Sequence, residues 1–204
     1  MNYLTKLAVL GFLFYSPLIF ADVASKPAEK FDNFRVSIVG GITLGGDKIA
    51  RINYIDRSTN NIYAGRFAYF GGGLGFDINE DFMMQLNAQY HWDTATAANG
   101  DITFSRYVFE AIPYYQFNER FHVGLGLGLH SNVKLSGDLV ERLGFDKAAA
   151  IIGSVGYRPK HSDSWWELRV VNVEYDINKV GSRAAYSDQA IDGSHIGLAY
   201  HWLF

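Results

Sequence analysis

The sequence predicts an all-β protein: an eight-stranded antiparallel up-and-down transmembrane β-barrel. Three observations lead there. Segments of roughly ten residues, the length a tilted strand needs to cross a bilayer, alternate apolar and polar side chains. The connectors between them are alternately short and long. The final segment, Ser194 to Phe204, places Ile196, Leu198, Tyr200, Trp202 and Phe204 on one face and mostly small or polar residues on the other.

Residues 1–21 read as a signal peptide. Lys6 precedes an apolar run from Leu7 to Phe14, Ser16-Pro17 interrupts it, and Ala21 offers a small residue for cleavage just before Asp22. Residues 22–32 are a polar lead-in, and residues 33–204 form the barrel. Its first segment, Phe34 to Leu44, sets Phe34, Val36, Ile38, Ile42 and Leu44 against Arg35, Ser37, Val39, Gly41 and Thr43. The second, Ala68 to Ile78, sets Phe70, Leu74, Phe76 and Ile78 against Gly71, Gly73, Gly75 and Asp77.

The third segment, Phe82 to Asp93, alternates most regularly. Met84, Leu86, Ala88, Tyr90 and Trp92 oppose Gln85, Asn87, Gln89, His91 and Asp93. In the fourth, Thr103 to Phe117, Tyr107, Phe109, Ala111, Pro113, Tyr115 and Phe117 oppose Arg106, Val108, Glu110, Ile112, Tyr114 and Gln116. The fifth, Phe121 to Val133, sets leucines against His122, Gly124, Gly126, Gly128 and His130. The sixth runs from Ala148 to Tyr157, with Ile151, Val155 and Tyr157 outward. The seventh, Trp165 to Ile177, begins with Trp166, Leu168 and Val170 outward. Val173, Tyr175 and Ile177 continue that face only if one residue is extra, which predicts a β-bulge near Val171-Asn172.

Asn79-Glu80-Asp81, Asn118-Glu119-Arg120 and Pro159 to Ser164 are tight connectors. Residues 45–66, 94–102, 134–147 and 178–193 are longer. Short turns at one end and long loops at the other mark a transmembrane barrel with its short turns in the periplasm. The first long loop carries Ile49, Ile52, Tyr54, Ile55, Ile62 and Tyr63, so it extends the first hairpin. Outward aromatics make two belts. Phe34, Phe76, Phe117, Phe121, Tyr157, Trp166, Trp202 and Phe204 lie near the short turns, and Tyr90, Trp92, Tyr107 and Tyr175 near the long loops. A soluble barrel would reverse this, with aromatics inward and Gln89 outward.

The composition agrees. No stretch after residue 21 is an apolar helix long enough to span a membrane, and the chain has no cysteine. A net charge of −3 with 19% charged residues leaves no basic footprint for nucleic acid. Aromatics at 16%, with 21 Gly and 4 Pro, favour strands over helices.

On these segments the chain resembles the small eight-stranded outer-membrane barrels of the OmpA-transmembrane, OmpX and OmpW type. Asn99-Gly100-Asp101 through Arg106-Tyr107, His130-Ser131-Asn132, Lys134 to Gly137 and Asp192 to His195 resemble a family of proteobacterial outer-membrane β-barrel proteins. The resemblance implies residence in a Gram-negative outer membrane among lipid and lipopolysaccharide. It also implies recognition of Tyr200, Trp202 and Phe204 by the barrel assembly machinery. A structural or surface-interaction role without catalysis or cofactor is expected, and the oligomeric state stays open.

If the apolar faces meet lipid, the other faces fill the lumen. Arg35, Asp77, Arg106, Glu110, Glu167 and Arg169 are expected to form a polar network there, with Gln85, Asn87, Gln89, Gln116, Glu174, His122, His130 and His201 also inward. Buried charges must pair and share hydrogen bonds. Arg35, Glu167 and Arg169 are expected near the periplasmic end with Asp77 close by, and Glu110 and Arg106 higher. The network is either a structural plug or the gate of a narrow porin or small-solute channel. Gly124, Gly126 and Gly128 leave room for bulky inward neighbours such as Tyr114.

A lipid A-modifying hydrolase is the remaining alternative, because some barrels of this size are deacylases with a His, Ser and Glu near the outer leaflet. Here His130 and Ser131 are adjacent, so a strand sends them to opposite faces, and Glu141 lies in a loop. The histidines show no tight ligand spacing, so no metal site is expected.

Overall fold

The structure, a computed structural model, describes residues 34–53, 59–97, 100–138, 140–184 and 190–204. The expected signal peptide and lead-in, and Tyr54, Ile55 and Asn99, lie outside these residues. In chain order the strands are β1 (Phe34–Gly45), β2 (Lys48–Asn53), β3 (Thr59–Tyr63), β4 (Phe67–Asp77) and β5 (Phe82–Ala97). There follow β6 (Gly100–Gln116), β7 (Phe121–Gly137), β8 (Leu143–Phe145), β9 (Ala148–Tyr157) and β10 (Trp165–Val180). The chain ends with β11 (Arg183–Ala184), β12 (Ala190–Asp192) and β13 (His195–Leu203).

Eight strands close a ring. β1, β4, β5, β6, β7, β9, β10 and β13 each pair antiparallel with the next, and β13 returns to β1 with Gly40 opposite Tyr200. Closure leaves no unpaired edge, which is what a strand protein needs to cross hydrocarbon.

The period of two decides the two faces. On β5, Met83, Gln85, Asn87, Gln89, His91 and Asp93 are buried while Leu86 and Tyr90 are exposed. The exterior carries Val36, Phe70, Phe109, Leu125, Leu127, Ile151, Leu168, Val170 and Ile196, all exposed. An apolar surface that encircles the molecule is far larger than the patches soluble proteins tolerate. The soluble arrangement, with Gln89 outside, is therefore not this fold: Gln89 is buried and Tyr90 faces out.

Two short turns share one device. Asn79 Oδ1 accepts from the N–H groups of Asp81 (3.0 Å) and Phe82 (2.9 Å), and Asn118 Oδ1 from those of Arg120 and Phe121 (both 2.9 Å). The Asn side chain thus replaces backbone bonds that a tight reversal cannot make.

The structure corrects several expectations. β10 alternates without interruption from Trp165 to Tyr175, so there is no bulge at Val171-Asn172. Val171, Val173 and Tyr175 point inward, Tyr175 does not join the outer aromatic belt, and Glu174 is exposed rather than luminal. The lumen itself turns apolar toward the long loops, where these residues join Ile102, Phe104, Leu135 and Phe145. That change imitates a register slip. The real irregularities lie elsewhere. On β6 and β7, Ser105 opposes Lys134 and Tyr107 opposes Ser131, with Asn132 at φ 49 taking up the extra chain. On β10 and β8 the register shifts between Ile177 and Lys179.

Much of the sequence expected as long loops is strand. β5 and β6 run on to Ala97 and from Gly100, β7 reaches Gly137, and β8, β11 and β12 pair with their neighbours beyond the ring. Nor does the first loop simply prolong β1 and β4. β2 and β3 make a separate two-stranded sheet whose Ile52 and Ile62, with Ala64, are buried in the same apolar cluster as Ile102 and Phe104. This hairpin caps the long-loop end of the lumen.

Candidate functional site

Among the described residues, buried charged and polar side chains converge in the lumen, and β5 supplies its spine. Gln85 Nε2 donates to Ser37 Oγ (2.8 Å) and Asn87 Oδ1 (3.0 Å), and Asn87 Nδ2 donates to Glu110 Oε2 (3.3 Å). Gln89 Nε2 and Arg169 Nη2 donate to the same Glu110 oxygen at 2.8 and 2.9 Å. Glu110 has room for these three partners because the residue across from it on β7 is Gly128.

Arg169 also lies beside Glu167, Nε to Oε2 3.8 Å, and donates to Tyr69 Oη at 3.4 Å. Glu167 receives Tyr114 Oη at Oε1 (2.7 Å) and His201 Nε2 at Oε2 (2.9 Å). One guanidinium thus bridges two buried carboxylates, and Asn87, Gln89, Tyr114 and His201 add further hydrogen bonds to them. Charges removed from water in this way are tolerable only when every remaining site is filled.

Toward the long loops the lumen gathers His91, His130 and His195 around Arg106. The His91 ring centroid lies 6.4 Å from that of His130 and 6.3 Å from that of His195. Arg106 Nη2 donates to His91 Nδ1 (3.4 Å), so the opposite nitrogen, Nε2, carries the proton given to Gln89 Oε1 (2.8 Å). His130 Nδ1 meets Tyr175 Oη at 2.6 Å. Arg106 forms no ion pair among the described residues. It donates to the Ala64 carbonyl of the cap (2.7 Å) and lies over the rings of Phe104 and Tyr175. The cap is also held by Tyr63 N–H to Asp93 Oδ2 (3.1 Å) and by Asp47 N–H to the Asp192 carbonyl (2.7 Å).

At the short-turn end Arg35 pairs with Asp77. An open vestibule of about 500 Å³ lies there, lined by Arg35, Asp77, Ile78, Asn79, Glu80 and Gln116. Deeper in, His122 stacks on Trp165 (3.8 Å between centroids), and Tyr114 and His201 pack against the same indole at 4.8 and 4.9 Å.

The six charged residues singled out from sequence therefore fall into three groups. Glu110, Glu167 and Arg169 meet in mid-lumen, Arg35 and Asp77 pair at the short-turn mouth, and Arg106 stands beneath the cap. Tyr200 and Trp202 are partly exposed on the outer face of β13, and Phe204 is exposed.

The inward glycines accommodate large neighbours. A Cβ on Gly124 would lie 2.6 Å from the Tyr114 ring, and one on Gly126 2.7 Å from Ile112. His130 is buried and turned to Tyr175, while Ser131 is on the other side of the strand. No group of three or more His, Asp or Glu among the described residues is arranged to hold a metal.

Sequence reasoning gave no role to Tyr69, Trp165 or Arg158. Arg158 was legible in principle. Tyr157 points outward, so the next residue on the same period points in.

No family model matches the chain, and no curated protein matches it in sequence. Among solved structures it is similar to Neisserial surface protein A, with 14% identity over 84% of this chain and 97% of that one, at a TM-score of 0.46. It is also similar to the outer-membrane protein AlkL in lipid bilayers, with 11% identity over 88% and 95% at 0.47. Ail, the attachment invasion locus protein of Yersinia pestis, shows 12% identity over 83% and 99% at 0.40. This chain is thus similar to small outer-membrane β-barrels.

Proposed function

We propose that the chain is an integral outer-membrane barrel with a structural or surface-interaction role at its capped long-loop end, and without catalysis. The observation that supports this most directly is the filled lumen. The Glu110–Arg169–Glu167 layer crosses its middle, and the apolar residues under the β2–β3 hairpin fill its outer part. Eight strands leave an interior only wide enough for side chains. The encircling apolar surface suits acyl chains and lipopolysaccharide, and the short turns suit the periplasmic side.

Conductance of the refolded protein in planar bilayers tests the reading. A filled barrel gives no steady unit current. A reproducible unit conductance would replace the proposal with the narrow-pore alternative. Mass spectrometry of lipid A from cells with and without the chain tests the absence of catalysis, because a changed lipid A mass would establish a hydrolase.

A further inference from the structure

Unpartnered polar atoms are unevenly distributed along the lumen. Among the described residues, most of the buried nitrogen and oxygen atoms without a hydrogen-bond partner lie between Glu167 and the short-turn mouth. Four can only donate: Arg35 Nη1, Arg158 Nε, Arg158 Nη2 and Trp165 Nε1. Two accept, Gln85 Oε1 and, because its Nε2 donates to Glu167, His201 Nδ1, while His122 Nε2 and Ser154 Oγ can do either. Unpartnered donors therefore outnumber unpartnered acceptors in this part of the lumen.

Strand register places these groups together. On β9 and β7, Gly156 opposes His122, and on β9 and β10, Tyr157 opposes Trp166. One residue further puts Arg158 beside Trp165, whose indole stacks on His122. Trp165 is 1% exposed, so its free N–H points into protein or into the chamber, never into lipid. Arg158 is half-buried and has no ion pair among the described residues. Burial and the positive charge of Arg35 lower its pKa, and Asp163 and Asp77 oppose that only in part. Arg35 already has Asp77, and Glu110 and Glu167 are engaged by Arg169, Asn87, Gln89, Tyr114 and His201.

We propose that the short-turn end of the lumen binds a small oxyanion, a carboxylate or phosphate group, gripped by the forked guanidinium of Arg158 with support from Arg35 and the Trp165 indole N–H. Water could accept the free N–H bonds, but it would leave the Arg158 charge uncompensated. An oxyanion does both, because the two parallel N–H groups of a guanidinium match two oxygens of one planar or tetrahedral anion. Arg35 lines the 500 Å³ vestibule that opens to the aqueous side, and the Glu110–Arg169–Glu167 layer lies beyond the site toward mid-lumen. Asp77 and Glu80 at the rim favour a small, singly charged group over a bulky polyanion.

The test uses the full refolded barrel in dodecyl maltoside, a detergent without phosphate. Inorganic phosphate and acetate are titrated, with sodium chloride at equal ionic strength as the control. The Arg158 Nε–H and Trp165 Nε1–H signals are followed by nuclear magnetic resonance. Both should shift and saturate with phosphate or acetate and stay put with chloride. Arg158→Gln should weaken binding at least about tenfold, the range expected when a charged bidentate contact is lost. If that variant does not fold, Arg158→Lys keeps the charge without the fork and should weaken binding severalfold. Signals indifferent to both anions, or unchanged affinity in a folded Arg158 variant, would overturn the proposal. Adding phosphatidylglycerol instead of free phosphate separates the two sources, since a shift from lipid alone assigns the site to a headgroup. Neither outcome depends on whether the barrel conducts.

Discussion

Arg169 on β10 and Glu110 on β6 face each other across the lumen, Nη2 to Oε2 2.9 Å apart, with side chains 1% and 2% exposed. The same guanidinium reaches Glu167 at 3.8 Å, so one cation stands between two buried anions. Removing the cation should therefore cost more than removing either anion. Arg169→Met should destabilise the barrel by about 3–5 kcal/mol, the range for breaking a buried charge network from one side. Adding Glu110→Gln to Arg169→Met should recover part of that loss. Urea unfolding in lipid vesicles measures both, and a cost below roughly 1 kcal/mol for the single variant would show that water already relieves the pair.

Gly124 is flat against Tyr114, whose hydroxyl is committed to Glu167. A Cβ there would sit 2.6 Å from the ring and 2.7 Å from Ser154 Oγ. Gly124→Val should cost about 1–3 kcal/mol through overpacking. Gly153, with nothing within 4 Å of its Cβ position, is the control on β9 and should accept Ala at little cost. Equal stability of the two variants in the same unfolding assay would contradict this packing.

The cap hangs on Arg106, whose Nη1 donates to the Ala64 carbonyl at 2.7 Å. Hydrogen bonds from charged donors contribute about 1.5–3 kcal/mol, so Arg106→Gln should loosen the β2–β3 hairpin by that order while the ring stays closed. Limited proteolysis of the reconstituted barrel should then cut faster between residues 46 and 66. An unchanged cleavage rate would mean that the Tyr63–Asp93 and Asp47–Asp192 bonds hold the cap without it.

Asp192 lies beyond the ring at the long-loop end. Hydrogen bonds from the Ser194 hydroxyl and backbone N–H hold its carboxyl below the ordinary 3.8. A depressed folded pKa means its contribution is complete above 3.8 and is lost as pH falls through the lower folded value. Because Asp192 is exposed, the effect on stability is small and belongs to the loop. Ser194→Ala should raise the Asp192 pKa toward its ordinary value in a carbon-detected titration, and an unmoved midpoint would discount the hydroxyl.

How far the fold could be read from sequence differs between the two halves of the lumen. Where the interior is polar, as along Gln85, Asn87 and Gln89, the period of two named both faces. Where the interior turns apolar, as at Val171, Val173 and Tyr175, both faces look alike, and alternation alone cannot tell inside from outside. The partition of the charges was illegible for a different reason. That Arg169 rather than Arg106 meets Glu110 depends on the stagger between β6 and β10, which are separated by β7 and β9. The inward-folded cap is a tertiary event as well, since Ile52 and Ile62 only reveal their destination once the mouth they cover exists.

Trp165 and Trp166 are neighbours in sequence and opposites in the barrel. Trp165 is buried in the lumen against His122, whereas Trp166 packs on Tyr200 of β13 at the outer face, with ring centroids 4.7 Å apart. Trp92 and Trp202 share the outward side with Trp166, by the alternation of β5 and β13. Single-tryptophan variants reconstituted with brominated lipids separate the two faces, because bromine quenches only fluorophores within contact distance of the acyl chains. Trp92, Trp166 and Trp202 should be quenched and Trp165 spared. Trp92 should respond best to bromine in the leaflet on the long-loop side, since it pairs with Ala68 one residue from the start of β4, and Trp166 to bromine in the opposite leaflet. Quenching of Trp165 alone would turn the barrel inside out, and the membrane reading would fall with it.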